Sequence, residues 1–204
     1  MVTSAFFTFD PIRIDAEELI MPIIKSIGGE HSELLQLINS EDLFPSLVEG
    51  ENSRLDQATM LFLSSLDWKE GGGIPEQLGK NNIKEKIGRF PTSDGNSIKY
   101  LLQNTSSDDN KNRLHELLKK LMDGLSENNL GHSDFQKGMG GLELMGWINN
   151  EEVTELIKTI KKGEWSISAD EIFDGGVQEI IRHLMMILIA AERRSCGILM
   201  RRHI

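Results

Sequence analysis

Between Trp147 and Gly163 the apolar positions Val153, Leu156, Ile157 and Ile160 fall at i, i+3, i+4 and i+7, one stripe of a 3.6-residue helix. Asn149 or Asn150 stands where the first free N–H groups need an acceptor, and Glu151 and Glu152 follow where the helix dipole favours negative charge. Lys158, Lys161 and Lys162 occupy the opposite end, and Gly163 supplies a left-handed stop. A second helix is predicted from Val177 to Arg194, with Val177, Ile180, Ile181, Leu184, Ile187, Leu188 and Ala191 inward. Met185, Met186 and Ile189 leave it little polar surface, as in a central core helix. A membrane span needs about 20 apolar residues. Glu179, Arg182, His183, Glu192, Arg193 and Arg194 break the run too early for that. The apolar triplet Ile198-Leu199-Met200, after Gly197, reads as a short strand.

The other end of the chain alternates in the manner of a strand. From Ala5 to Ile14, Phe7 and Phe9 oppose Phe6 and Thr8, with Pro11 marking an edge, a bulge or a break. Asp15 caps a helix carrying Leu19, Ile20, Ile23 and Ile24, in which Pro22 predicts a kink or restart. A short helix over 30–39 turns Leu34, Leu35 and Ile38 inward. Residues 40–52 read as an acidic loop, and Ser53 as the cap of a longer helix with Leu55, Ala58, Thr59, Phe62, Leu63 and Leu66 on its stripe.

Short helices and loops are expected over 74–110, where Ile83, Ile87, Ile98, Leu101 and Leu102 are scattered among polar residues, and 105–110 reads as a linker or helix lead-in. A helix over 108–126 turns Leu114, Leu117, Leu118, Leu121 and Leu125 inward, and 131–141 reads as a flexible entry to the C-terminal third of the chain. The order strand, helices, strand predicts a helix-rich α+β fold, with one small sheet pairing the N- and C-terminal strands against the helix over 177–194. The chain of 204 residues suits a single globular domain, its core drawn from 138–204 and 1–70, with 71–135 more irregular.

Charge changes this picture in one respect. Residues 1–76 hold 14 Asp or Glu against 4 Lys or Arg, ten negative charges in excess, which equals the whole net charge of −10. Such a field repels nucleic acid and anionic membranes and favours basic partners. One cysteine leaves no internal disulfide framework, and the N-terminus lacks a basic region followed by an apolar run, so a cytoplasmic location is expected.

Candidate chemistry is sparse. Gly71-Gly72-Gly73 precedes Ile74-Pro75 instead of the Lys-Ser/Thr of a phosphate loop. No histidine among His31, His115, His132, His183 and His203 shows zinc-ligand spacing to another ligand, so neither metal nor cofactor is predicted. Cys196, beside Arg193 and Arg194, could hold a lowered pKa, yet buried cysteine is the commoner case. The basic cluster Arg193, Arg194, Arg201 and Arg202 could bind a phosphate or pair with the protein's own acids, and the acidic excess favours pairing.

Phe135 to Leu156 carries the step Gly146-Trp147-Ile148 into a helix beginning Glu151-Glu152-Val153. Further on come Ala190-Ala191-Glu192-Arg193 and Gly197-Ile198-Leu199-Met200, and earlier Ile27-Gly28-Gly29-Glu30 leads to Leu34-Leu35 and Ile38. Over about half the chain this resembles a loose group of bacterial α+β proteins of unknown function. Their shared features are structural, and the resemblance brings no active-site residues. Some similar small acidic proteins are encoded beside toxins and resemble immunity proteins. The acidic excess, with no catalytic constellation beside it, predicts a non-catalytic module that binds a basic protein as an immunity or inhibitor protein does, with Glu41, Asp42, Glu49, Glu51 and Asp56 as the expected contact surface. The competing expectation is an enzyme or small-ligand protein with a site assembled from 131–141, His183 and Arg201–His203.

Overall fold

The two ends of the chain meet in one sheet. In the computed structural model, which describes residues 6–39, 43–44, 46–69, 73, 75–78, 96–107, 112–169 and 176–203, strand β1 (Phe6–Ile12) lies antiparallel to the last strand, β6 (Gly197–His203). Phe9 faces Met200 across that pair, and Ile12 faces Gly197. Strand β4 (Leu142–Ile148) pairs with the other side of β6, and β3 (Lys137–Gly138) completes the order β1-β6-β4-β3. Strands β2 (Thr105–Ser107) and β5 (Trp165–Ile167) form a separate two-stranded sheet. The helix-rich α+β fold and its terminal strand pair are thus as the sequence predicts.

Helices cover both faces of the larger sheet, and alternation along the strands divides the core accordingly. Phe7, Phe9, Ile148, Ile198 and Met200 pack towards helices α4 (Ser97–Asn104), α5 (Arg113–Asp123), α7 (Asn150–Lys162) and α8 (Gly176–Arg193). Ile12, Leu144, Trp147 and Leu199 pack towards α1 (Ala16–Ile27), α2 (Ser32–Ile38) and α3 (Gln57–Ser65). No described helix is long and apolar enough to cross a membrane.

The expected stripe of α7 is buried residue for residue: Val153, Leu156, Ile157 and Ile160. Asn149 and Glu152 close a reciprocal capping box, and Gly163 takes a φ of 71°. Of the expected inward residues in the helix over 108–126, Leu114, Leu117, Leu118 and Leu121 lie on α5 and Leu125 between it and the short α6 (Glu127–Leu130), all five buried.

Other expectations are corrected. Helix α1 runs unbroken through Pro22, which removes only the bond to the carbonyl of the exposed Glu18. Helix α3 starts later than predicted, because Asp56, not Ser53, caps it, and it buries Ala58, Met60, Leu61, Ser64 and Ser65 in place of Thr59, Phe62 and Leu63. Residues 105–107 form a strand, not a linker, and the stretch 131–141 buries Phe135 completely and contains β3. Ile83 and Ile87 lie outside the described residues.

Candidate functional site

The exposed glutamates of the acidic third are carried by α1, α2 and the segment after them. Glu17 and Glu18 open α1, with Asp15 as its cap: the Asp15 carboxylate accepts the Glu17 N–H at 3.0 Å. Glu17, Glu18, Glu30, Glu33, Glu49 and Glu51 are all exposed. The same elements carry exposed apolar side chains, with Met21 51%, Leu37 36% and Val48 54% accessible.

His31 ties that surface together. Its ring is buried, with Nε2 2.9 Å from the carbonyl of Glu51 and Nδ1 2.6 Å from the hydroxyl of Ser26. A carbonyl can only accept, so the ring carries a hydrogen on Nε2. The His31 backbone N–H donates to the Glu49 carboxylate at 3.0 Å, and the Gly50 N–H donates to the Gly29 carbonyl at 2.9 Å. His31→Leu leaves a buried hydroxyl and a carbonyl without their partner. It should cost about 2 kcal/mol and raise amide hydrogen exchange at Gly50 and Glu51, with little change in the core strands.

The five sequence-predicted contact residues fare differently. Glu41 and Asp42 lie outside the described residues. Glu49 and Glu51 are exposed beside His31. Asp56 is a structural cap: its carboxylate accepts from Thr59 N–H, Thr59 Oγ1 and Met139 N–H, which joins α3 to the β3–β4 turn. The sequence reading set none of Glu17, Glu18, Glu30 and Glu33 on the expected contact surface, and all four are exposed on or between α1 and α2. Their signal was present, since helix-start acids at exposed positions also present charge to solvent.

The basic cluster is spent largely within the molecule. Arg194 meets Asp67 at 3.2 Å, Arg201 meets Asp10 at 2.9 Å and Arg202 meets Glu143 at 3.5 Å. Two of these acids, Asp10 and Asp67, belong to the acidic third, while the helix-borne glutamates stay on the surface.

A cleft of about 580 Å³ adjoins α1. It is lined by Glu17, Ile20 and Met21 of α1, by Glu116, Lys119 and Lys120 of α5, and by Leu130 and His132. Trp147, 4% exposed, also lines it. The Trp147 indole N–H donates to Asp15 at 2.7 Å, and the Lys120 ammonium sits 4.8 Å from the ring centroid while bonding both Glu152 oxygens at 2.7 Å. Further along, Arg113 grips Glu155 through two hydrogen bonds, which hold that carboxyl below the usual carboxylate range. Of the residues of the competing site, His132 lines this cleft, His183 is buried on α8 with Nδ1 2.7 Å from the Glu179 carbonyl, and Arg201 is paired on β6.

Cys196 is buried, its thiol donating weakly to the Ala191 carbonyl at 3.6 Å. Burial pushes its pKa up to about 11, and the Arg194 cation only partly offsets that. An acid whose folded pKa is raised stays protonated in the folded protein while ionising in the unfolded chain. Stability should therefore fall as pH rises from about 9 towards 11, by at most about 1.4 kcal/mol per unit. Denaturant titration of Cys196→Ala beside the parent should show a shallower decline over that window.

Among the described residues, no three His, Cys, Asp or Glu side chains are grouped to hold a metal ion. No protein-family model, curated protein or solved structure matches the chain.

Proposed function

We propose that this protein is a binding module that captures a basic protein through the face formed by α1, α2 and the segment around Glu49–Glu51. The observation that carries the reading is the coincidence of charge and apolar exposure. Six glutamates stand exposed on α1, α2 and this segment, one of them, Glu33, paired with Lys25, and Met21, Leu37 and Val48 are exposed on the same elements, while three arginines of the C-terminal cluster are paired internally. Glutamates attract a basic surface over a distance and set the rate of encounter, and exposed apolar side chains supply contact area once it has docked. An immunity-type or inhibitor role, neutralising a basic protein in the cytoplasm, accords with the resemblance of the Gly146–Val153 step and the closing helix and strand.

The test is affinity capture from native lysate at low and at moderate salt, with mass spectrometry of what is held. The reading predicts one basic protein, retained in equal molar amount and shed as salt rises, because exposed charges are screened beyond about 8–10 Å at physiological ionic strength. Retention of acidic or neutral proteins only, indifferent to salt, contradicts it.

A further inference from the structure

The cleft beside α1 carries more ionisable groups than the fold itself uses. We infer that it is a site for a small zwitterion of dipeptide size with an apolar body, a role independent of the binding function proposed above. Its volume of about 580 Å³ falls within the range of roughly 300–1,000 Å³ usual for small-molecule sites. Ile20, Met21, Leu130 and Trp147 supply apolar lining. Two members of the lining are fixed by the fold: the Trp147 indole N–H donates to Asp15, and the Lys120 ammonium donates to both Glu152 oxygens. That part of the site is formed before any ligand arrives.

The groups left over set the charge of the ligand. Glu116 is paired with Arg113 at 3.2 Å and Lys120 with Glu152 at 2.7 Å, so both charges are answered within the protein. That leaves the Glu17 carboxylate on α1, the Lys119 ammonium on α5 and the His132 ring. Among the described residues, none of these three side chains has a hydrogen-bond or ion-pair partner. One carboxylate and one ammonium, on different helices and not bonded to each other, complement a molecule with a cationic and an anionic end. His132 adds an N–H donor in either charge state, whose hydrogen a carboxylate can accept. A simple anion would meet Lys119 but also Glu17, and a simple cation the reverse. A neutral apolar molecule would leave both unused. Only the zwitterion engages the whole lining.

The test uses the full chain and leucyl-phenylalanine in three forms: both ends free, N-acetylated and C-amidated. Binding at low salt is followed by the indole N–H signals of the protein, with that of Trp147 identified through Trp68→Phe and Trp165→Phe. The inference predicts that the free dipeptide shifts the Trp147 signal. Blocking either end should weaken binding about fivefold, between the effect of an exposed ion pair and that of a charge-assisted hydrogen bond. Glu17→Gln should abolish the preference for the free ammonium end and keep that for the carboxylate, and Lys119→Gln should do the converse. Both positions are exposed, so the fold should tolerate the changes. Equal binding of all three forms overturns the inference, and so does a loss on blocking one end only, which assigns the cleft to simple anions or simple cations. A Trp147 signal unmoved by the free dipeptide at millimolar concentration overturns it as well. Each of these results leaves the acidic-face reading standing.

Discussion

Asp10→Ala should cost about 3–5 kcal/mol of folding stability, the range for removing one partner of a buried ion pair. The Asp10 and Arg201 side chains are only 6% and 17% exposed, and the carboxylate accepts from Arg201 Nε at 2.9 Å and from its terminal nitrogen at 3.3 Å. The guanidinium also lies 4.8 Å from the ring centroid of Phe62 on α3. The pair thereby joins β1, β6 and α3. Without Asp10 the cation stays between strand and helix with no counter-charge. Its desolvation then goes unrewarded, and that penalty, more than the lost bond, sets the size of the effect. Urea unfolding should show a lower midpoint with an unchanged slope. The double variant Asp10→Leu with Arg201→Met should recover most of the loss, because an apolar pair of similar volume removes the uncompensated charge. A loss below about 1 kcal/mol in Asp10→Ala would place the pair with ordinary surface ion pairs and contradict this account.

The second large effect belongs to Gly146. A Cβ there would lie 2.0 Å from the Lys120 carbonyl oxygen and 2.7 Å from both Gly124 N and the Leu121 oxygen. All three are backbone atoms, so no rotamer change relieves the clash; α5 must move off β4. Gly146→Ala should cost about 3 kcal/mol or more, at the upper end of overpacking effects. The site is also where β4 shifts register, Leu144 pairing with Arg201 and Gly146 with Met200, so that Met145 is the additional residue of a bulge. Displacing α5 would loosen Trp147 from Lys120 and open the cleft, and near-ultraviolet dichroism should register that loss. Gly163→Ala is the useful contrast. Its φ of 71° carries backbone strain, nothing lies within 4 Å of the added carbon, and the cost should stay near 1 kcal/mol.

These two positions also mark what the sequence could and could not disclose. Helix α7 was legible in full because its stripe, capping box and glycine stop are all local features. The pairing of β1 with β6 was legible from alternation at one end and a glycine-flanked apolar triplet at the other. Strand β4 was not. Its bulge breaks the alternation at Met145-Gly146, and helices cover it on both sides, so Leu144, Trp147 and Ile148 are all buried and no polar phase remains to read. Helix α3 misled for a related reason: burial of Met60, Leu61, Ser64 and Ser65 hides two serines that a simple amphipathic pattern sends to solvent. The contact surface was legible only as a count of charge. Asp56 as a cap, Asp10 in a buried pair and Glu18 on an exposed turn are equivalent in composition, and tertiary structure alone separates them.

That separation supplies the most direct test of the acidic face. Glu18, Glu30 and Glu51 are exposed, so reversing all three to lysine should leave the fold intact, as its unfolding midpoint can verify. Parent and triple variant are then used side by side to capture from the same lysate at low salt, and the basic protein held by each is measured. The account predicts at least tenfold less partner on the variant, with the small remainder insensitive to salt. Equal retention by a folded triple variant would show that this face is not where the partner binds.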